Sequence, residues 1–547
     1  MSLEDKNFVL TPKGYAIRKS ALTEEQTKRL QTELFVTPKM NTKFTSKAAI
    51  ANASFKLYRE SPQRWYVPRN WGQQTFGIAE ASTVPEGTPL SAVAADFRGN
   101  PYEYQENIIS TFIGAGANGL ICVPCGKGKT FMALAIAARL GRRFLVVVDK
   151  EFLMNQWKGE MQALMPGLRI GIIQEDVKQT SSEVIESKEP TLPELKQMAR
   201  EAGLKIGGTK EELIQRLTEA NIKVKEEAQV VEYDCCIAMI QTLVKRDFSS
   251  SEFAGFGFTI FDECHHLGAQ YFSRVLQIVQ TKCMLGLSAT PTREDGLTKV
   301  FLWFLGDPVY WEKTREPDPT VEVKSVWIKT TDPVYHDVPK DYRDEVVMPR
   351  LLTNILGCED RNNEIVRWIR LLCAESPIRK VLVLSERIGH LNCIEEKLKA
   401  VEPDVTISYY VGGMKENVRE EGAAAARVLL ASYAMASEAM NIKTLNAVIL
   451  ASPRKNVEQS TGRILRIRPE QRQVQPVIVD IVDDHSMYQG QWYKRLAYYR
   501  RCHYKIERWA HGATTGTALK GPKAPAAEPS AAAAAAPNKN ECLIMDD

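Results

Sequence analysis

The chain has 547 residues, enough for three or four domains at roughly 150 residues each. A hydrophobic fraction of 44% lets most of it bury a core, and 71 Lys plus Arg against 67 Asp plus Glu leave a net charge of only +4. That balance excludes a polybasic or wholly disordered protein and confines any nucleic-acid contact to local basic surfaces. No stretch reaches the roughly 18 apolar residues of a membrane span. The start, Met-Ser-Leu-Glu-Asp-Lys, has no basic-then-apolar leader. The 11 scattered Cys read as reduced thiols, so an intracellular protein, cytoplasmic or nuclear and not membrane-bound, is expected.

Residues 1–95 form an N-terminal α+β module, helical over 22–34 and strand-like with interleaved aromatics over 55–67, and Pro85, Gly87 and Pro89 mark a linker. A first α/β module follows over 96–315, with strands expected at 144–149, 169–174, 234–240, 258–262 and 284–288. Their apolar residues fall on consecutive positions, which implies burial on both faces and hence a parallel sheet between helices. Residues 178–228 interrupt this module with a compact helical insert. Its first helix begins near Pro193 and ends at Gly203, and Thr209-Lys-Glu-Glu212 is a capping box for a second helix with Leu213, Ile214 and Leu217 on one face. A connector over 316–350 leads to a second parallel-sheet module at 351–485, with strands at 381–385, 406–411, 428–432, 448–451 and 477–481. Residues 486–511 read as a basic, aromatic helix in which Tyr488, Trp492, Tyr499 and His503 recur at helical spacing and pack on the sheet. The Ala-, Pro-, Lys- and Thr-rich end, 512–547, is expected to be disordered.

The chemistry begins at Val123-Pro-Cys-Gly-Lys-Gly-Lys-Thr130, between a strand-like run and a helix-forming one. Glycines let backbone N–H groups converge on a triphosphate, and the following helix adds its positive end. Pro124, Cys125, Gly126, Lys127, Gly128, Lys129 and Thr130 are therefore the expected ATP cradle, Lys129 reaching the β and γ phosphates and Thr130 holding Mg²⁺. Val123 stands where the strict pattern has glycine. Cys122 and Cys125 also spell Cys-x-x-Cys, but no second pair completes a zinc site.

Phe258-Thr-Ile-Phe-Asp-Glu-Cys-His-His266 is an apolar strand ending in two carboxylates. Asp262 is expected to orient Mg²⁺, Glu263 to take the proton of the attacking water, and His265 to lie at the seam over the γ-phosphate. Zinc held by Cys264, His265 and His266 is disfavoured, because neighbouring side chains point apart. Arg463 and Arg466, three apart on a helix face, would stabilise the transferring phosphoryl group, a role worth on the order of 10³–10⁵ in rate elsewhere. The three sites together describe an ATPase built at a domain cleft.

This set of motifs resembles the superfamily 2 helicases, of the DEAD/DEAH-like and xeroderma pigmentosum group B type, over roughly residues 98–470. The resemblance implies two tandem RecA-like domains, ATP and Mg²⁺ as cofactors, and movement 3′ to 5′. Tyr104-Gln105 resembles the adenine-reading glutamine motif, and Gln459 opens the arginine-bearing motif over 459–466. Gln156 and Trp157, Gln241 and Thr242, and Arg387 fall on motifs that touch the nucleic-acid backbone in that family. Ser288 and Thr290 fall on the motif that couples hydrolysis to strand contact, and Arg293, Glu294 and Asp295 on one associated with duplex opening. The segment over 439–443, Ala-Met-Asn-Ile-Lys, departs from the family's Gly-x-Asp-x-Pro. Leu10-Thr-Pro-Lys-Gly-Tyr15 and Trp65-Tyr-Val-Pro-Arg69 resemble helicases of large DNA viruses, among them the poxvirus transcript-release helicase. Residues 190–221 resemble a SAP motif, carried by Leu195, Leu204, Gly208, Thr209, Leu213 and Leu217. Its Lys196, Arg200, Lys205, Lys210 and Arg216 are placed to meet phosphates without reading sequence, which favours DNA over RNA.

The expected function is an ATP-dependent DNA helicase or translocase in viral transcription, repair or recombination, with RNA polymerase or other transcription or replication proteins as candidate partners and the virion as a further candidate location. An RNA helicase or transcript-release translocase competes with this. So does a DNA-binding scaffold with a degenerate ATP site, against which the intact Lys129, Asp262, Glu263 and arginine pair argue.

Overall fold

The computed structural model describes residues 5–39, 51–124, 126–180, 183–185, 192–220, 229–293, 295–312, 317–438, 440, 442, 444–465, 467 and 469–519. The chain forms two compact units, one of Met1–Arg315 with Thr406–Leu445 and Glu458–Ile467, the other of Glu316–Val405 with Asn446–Val457 and Arg468–Asp547. No helix among the described residues is long and apolar enough to cross a membrane.

The N-terminal segments form a five-stranded sheet in the order Arg59–Glu60, Arg64–Val67, Gly14–Arg18, Phe8–Thr11 and Ala81–Ser82, beside a helix over Glu24–Glu33 whose start is fixed by the Thr23/Gln26 capping box. Gly14 lies at φ +116°, and a Cβ there would meet the Val67 carbonyl at 2.5 Å, so only glycine lets these strands close. Tyr15, Ile17, Leu30, Trp65 and Trp71 share one apolar core with the first large sheet. Buried Arg69 joins the two further, donating to the Thr281 and Lys282 carbonyls at 2.6 and 3.2 Å and to Asn118 Oδ1 at 2.9 Å. The stretch over 85–89, expected to be a linker, is pinned: Thr88 N donates to the Gly255 carbonyl, and a Cβ on Gly87 would strike Gly257 N at 2.1 Å.

The first large sheet has eight strands: β1 (Asn118–Cys122), β2 (Phe144–Val148), β3 (Ile170–Gln174), β4 (Val177–Lys178), β5 (Cys235–Met239), β6 (Phe258–Phe261), β7 (Cys283–Ser288) and β8 (Pro308–Trp311). They run in the order β4-β3-β5-β2-β6-β7-β1-β8, and every neighbouring pair is parallel except β3-β4. All of β2 and all of β6 is buried, as continuous apolar runs require of strands covered on both faces. Pairing of Ser288 with Cys122 and of Phe261 with Gly286 brings the carboxyl ends of β1, β6 and β7 together, where ligands gather in open α/β sheets.

The second large sheet comprises β9 (Glu322–Trp327), β10 (Val381–Ser385), β11 (Ile407–Tyr410), β12 (Val428–Ser432), β13 (Ala447–Leu450), β14 (Val477–Val482), β15 (Lys505–Ala510) and β16 (Thr517–Ala518), in the order β11-β12-β10-β13-β14-β9-β15-β16. The pairs β11-β12, β10-β13, β13-β14, β14-β9 and β9-β15 are parallel, and the edge pair β15-β16 is antiparallel. The fold is thus α/β, with two tandem RecA-like sheets after an N-terminal α+β module and with a helical insertion in the first, as the sequence led one to expect.

Three details differ from expectation. The connector contributes β9, an interior strand. The aromatic segment is helical only over Ser486–Arg501; His503 turns the backbone at φ 57°, and β15 follows. Thr517–Ala518, inside the stretch expected to lack structure, pairs with β15, while 520–547 lies outside the described residues. Tyr488, Trp492 and Tyr499 are buried, and the helix is held by a buried ion pair in which Arg495 donates twice to Asp480 at 2.8 Å while the Tyr499 hydroxyl adds a third bond at 2.9 Å. In the insert, helices Leu192–Glu201 and Lys210–Glu219 pack through Leu195, Ala199, Leu213 and Leu217, and the Thr209/Glu212 capping box forms.

Candidate active site

The loop after β1 owes its shape to glycine. Gly126 lies at φ +90° and Gly128 at φ +80°, the latter capping the helix Lys129–Leu140. Gly128 allows a close approach from the helix Glu103–Gly114: the buried Gln105 donates its Nε2 to the Lys127 carbonyl at 3.1 Å and accepts from Tyr102 N at 3.0 Å. Tyr104 adds a hydroxyl bond to the same Lys127 carbonyl at 3.2 Å, and its ring stacks on that of Tyr102. The Lys127 ammonium is 3.4 Å from Glu312, a residue no local sequence signal points to; it reaches the loop because β8 pairs with β1. Pro124 and Thr130 are half-buried on the loop, and Cys125 lies outside the described residues.

Asp262 and Glu263 follow β6 directly, yet their surroundings differ. Asp262 is buried and each carboxylate oxygen accepts one hydrogen bond, Oδ2 from the Trp157 indole N–H at 2.8 Å and Oδ1 from Glu263 N at 3.0 Å. Burial, and then the neighbouring Glu263 carboxylate, push its carboxyl up to about 6. Glu263 adopts φ 43° and ψ 50°, a left-handed conformation costing a residue with a Cβ roughly 1–2 kcal/mol. That turn brings Oε1 to 3.5 Å from the Lys129 ammonium. Burial pushes the Glu263 carboxyl up, but Lys129, His265, His266 and Arg463 outweigh it and hold it below the ordinary range. Its Oε2 is buried without a hydrogen-bond partner, although the side chain as a whole keeps 21% of its surface exposed.

The next shell is one connected network. His265 Nδ1 lies 3.0 Å from Ser288 Oγ, which also accepts from Thr290 N at 3.1 Å. Burial lowers His265 to about 4, so at neutral pH its 3.4 Å approach to Glu263 is not an ion pair. Arg293 donates to the His265 carbonyl at 2.5 Å and binds Asp295 through two nitrogens, at 3.0 and 2.5 Å. Its guanidinium therefore ties the turn after β6 to the segment after β7; Glu294 lies outside the described residues.

Arg463 lies in the same unit, buried, donating to the Ala436 and Met440 carbonyls at 2.7 and 3.0 Å, with its charge acting on Glu263. Gln459 is half-buried on the short helix Glu458–Thr461, and Arg466 lies outside the described residues. Of the residues expected to touch nucleic acid, Gln156 is partly exposed on the helix Glu151–Leu164 and Arg387 is exposed at the start of the helix Ile388–Val401. Trp157 departs from that expectation: it is 1% exposed and faces Asp262. Thr242 is also buried, accepting from Glu175 N, and Gln241 donates to the Asp149 carbonyl at 2.7 Å. On the insert Lys196, Arg200 and Lys205 are exposed and Lys210 is half-buried, whereas Arg216 closes the turn by donating to the Lys205 and Gly207 carbonyls.

The donor set suits Mg²⁺. Asp262 offers a buried carboxylate with a lone pair left on each oxygen, and Thr130 offers a hydroxyl at the start of the helix after the loop, both hard oxygen ligands. Among the described residues no cluster of three or more His, Cys, Asp and Glu could hold a metal alone, so phosphate oxygens would have to complete the shell, as is usual for Mg²⁺.

A glycine-bearing loop, a carboxylate pair and an arginine thus belong to one compact unit, with Lys129 and Arg463 both acting on Glu263. Residues 98–293 match the family described as type III restriction enzyme, res subunit. The chain is similar to superfamily 2 helicases of large DNA viruses. It is 28% identical over 91% of its length to "Putative ATP-dependent RNA helicase L396" of Acanthamoeba polyphaga mimivirus, spanning 86% of that protein. It is 25% identical over 70% of its length to the African swine fever virus protein QP509L, given the same description, covering 68% of it. "Probable helicase D10" of Escherichia phage T5 is 24% identical over 69% of this chain and 71% of its own. A solved structure of S. cerevisiae Dbp5 bound to RNA and ADP BeF3 aligns at a TM-score of 0.47 and 12% identity over 76% of this chain and 90% of that one, a likeness from which no function follows.

Proposed function

We propose that this chain is an ATP-dependent, nucleic-acid-stimulated superfamily 2 helicase or translocase, with DNA as its preferred track. The observation that carries this is the pairing of Lys129 with Glu263 at 3.5 Å next to the buried Asp262, with Lys129 acting on both carboxylates and Arg463 on that of Glu263. In this reading Lys129 and the loop N–H groups hold the phosphates, and Thr130 and Asp262 would hold Mg²⁺, which neutralises charge on the β and γ oxygens when bound. Glu263, kept ionised by its cationic neighbours, accepts the proton of the attacking water. Arg463, with Arg466, offsets charge on the transferring group. His265, Ser288, Thr290 and Arg293 relay the state of this site toward the strand-contact residues Gln156, Gln241 and Arg387.

The domain assignment follows the same reading: an accessory module over 1–95, RecA-like domains over 96–315 and 351–485 joined by 316–350, and a SAP-like insert over 178–228 whose exposed Lys196, Arg200 and Lys205 meet DNA phosphates. Polarity of 3′ to 5′ and a transcription, repair or recombination setting rest on resemblance to the viral helicases. The descriptions of the mimivirus and African swine fever virus relatives support a second reading, an RNA helicase, of which a transcript-release translocase is a variant. ATP hydrolysis by the full chain, measured with single-stranded DNA, duplex DNA and RNA, separates the two, and strand displacement on duplexes with 3′ or 5′ tails gives direction. Lys129→Ala is expected to abolish stimulated turnover, and retention of turnover would sink the proposal.

A further inference from the structure

The helix Glu151–Leu164 follows β2, and resemblance alone would put its Trp157 against nucleic acid. The side chain is instead enclosed at 1% exposure among Leu153, Met154 and Met161. Its single polar atom is directed at one place, Asp262 Oδ2, at 2.8 Å. The other oxygen, Oδ1, takes Glu263 N at 3.0 Å, and the Asp262 backbone N–H is fixed to the Val147 carbonyl at 3.1 Å. One donor per oxygen prevents the carboxylate from rotating and leaves one lone pair on each oxygen with a defined direction. An indole is suited to this position because it donates and never accepts, so it cannot compete with the carboxylate for a cation. A phenylalanine would fill most of the same space and leave a buried oxygen unsatisfied.

From this geometry we infer that Trp157 is a positioning residue for the metal-binding carboxylate, holding Asp262 in the orientation that accepts a divalent cation beside a bound nucleotide. The inference rests on the ATPase reading above and adds a residue that acts through Asp262 without touching substrate. The same helix carries exposed Asn155 and Lys158 and partly exposed Gln156 on its outer side, so a group that fixes the metal ligand sits within two positions of the proposed strand-contact surface.

The test uses the full chain with ADP and Mn²⁺ as the spectroscopic stand-in for Mg²⁺, free Mn²⁺ being read by electron paramagnetic resonance. Two variants are compared: Trp157→Phe, and the chain with 3-benzothienylalanine at position 157, which keeps the indole shape and replaces N–H by sulfur. Loss of a hydrogen bond that orients a metal ligand costs about 10- to 100-fold in metal affinity. Both variants should therefore weaken nucleotide-dependent Mn²⁺ binding by about tenfold or more, while affinity for a fluorescent ADP analogue in EDTA stays within about twofold of wild type. If the benzothienyl chain binds Mn²⁺ as wild type does, whatever Trp157→Phe does, Trp157 is only packing and the inference fails. If the unaltered chain shows no nucleotide-dependent Mn²⁺ binding at all, the ATPase reading falls and takes this one with it.

Discussion

Gly128→Ala is the sharpest perturbation of the phosphate loop. The residue sits at φ +80° and ψ 43°, where a Cβ costs roughly 1–2 kcal/mol. The added methyl would also lie 2.5 Å from Gln105 Nε2, displacing the amide that donates to the Lys127 carbonyl at 3.1 Å. That bond is worth about 1 kcal/mol. The empty loop of the variant relaxes away from this conformation, and binding must restore it. The sum of about 2–3 kcal/mol therefore appears as nucleotide affinity weakened by about 30- to 150-fold. Titration of the full chain with a fluorescent ATP analogue measures it. Because the strain belongs to the backbone and the clash to Gln105, the two can be separated. In a Gln105→Ala background the clash disappears and Gly128→Ala should cost only about 1–2 kcal/mol, a coupling of about 1 kcal/mol. Affinity within threefold of wild type for the single variant would refute the argument, and equal effects in both backgrounds would refute the contact.

Other expectations are as direct. Arg495→Met leaves the fully buried Asp480 with only the Tyr499 hydroxyl, a loss of about 3–5 kcal/mol, and Arg495→Met with Asp480→Asn should recover part of it; amide hydrogen exchange along β14 reads both. Lys205→Ala with Lys210→Ala should lower the slope of log affinity for DNA against log salt by on the order of 1.5, and an unchanged slope would remove the insert from the binding surface. His390 is enclosed by Ser385 and Asn362, each 2.9 Å from one ring nitrogen, and burial lowers it to about 3. Between 6.5 and that value the unfolded chain holds one proton more than the folded one, so stability falls as pH falls. From pH 6.5 to 5 the loss is about 2 kcal/mol, and His390→Gln should melt with a correspondingly shallower pH dependence.

The parts of the fold legible in sequence are those that local physics writes locally. Strands 381–385 and 428–432 agree in every residue with β10 and β12, because a five-residue apolar run bounded by polar turns has few alternatives. Strands β9 and β15 carry no such local signal. Glu-Val-Lys-Ser-Val-Trp and Lys-Ile-Glu-Arg-Trp-Ala are interrupted by two and three charges, and what makes them strands is pairing with each other across nearly the whole second module. The aromatic helix was expected to run on to residue 511 because no Gly or Pro marks its end; His503 supplies the break with a left-handed backbone that its residue type does not announce.

The same division holds within the site. Glycines at 126 and 128, a lysine and threonine opening a helix, and two carboxylates ending an apolar strand are needed by the chemistry itself, so their spacing shows. The division of labour between Asp262 and Glu263 does not show, because adjacent carboxylates look equivalent in sequence. A single left-handed residue separates them. With Glu263 turned back at φ 43°, its carboxylate meets Lys129 and stays ionised, while Asp262 remains under the sheet edge, where burial raises it to about 6 and Trp157, 105 residues away, holds one oxygen. A buried acid held on both oxygens is poised to gain from an arriving cation, since the cation offsets the desolvation that now disfavours its charge. The acid beside it has its cation already in Lys129 and keeps an oxygen free for a proton. On the proposed function, two acids with the same chemistry divide into metal ligand and base through environment alone, and the tryptophan and the turn that create those environments carry no signal in the spacing of the motif itself.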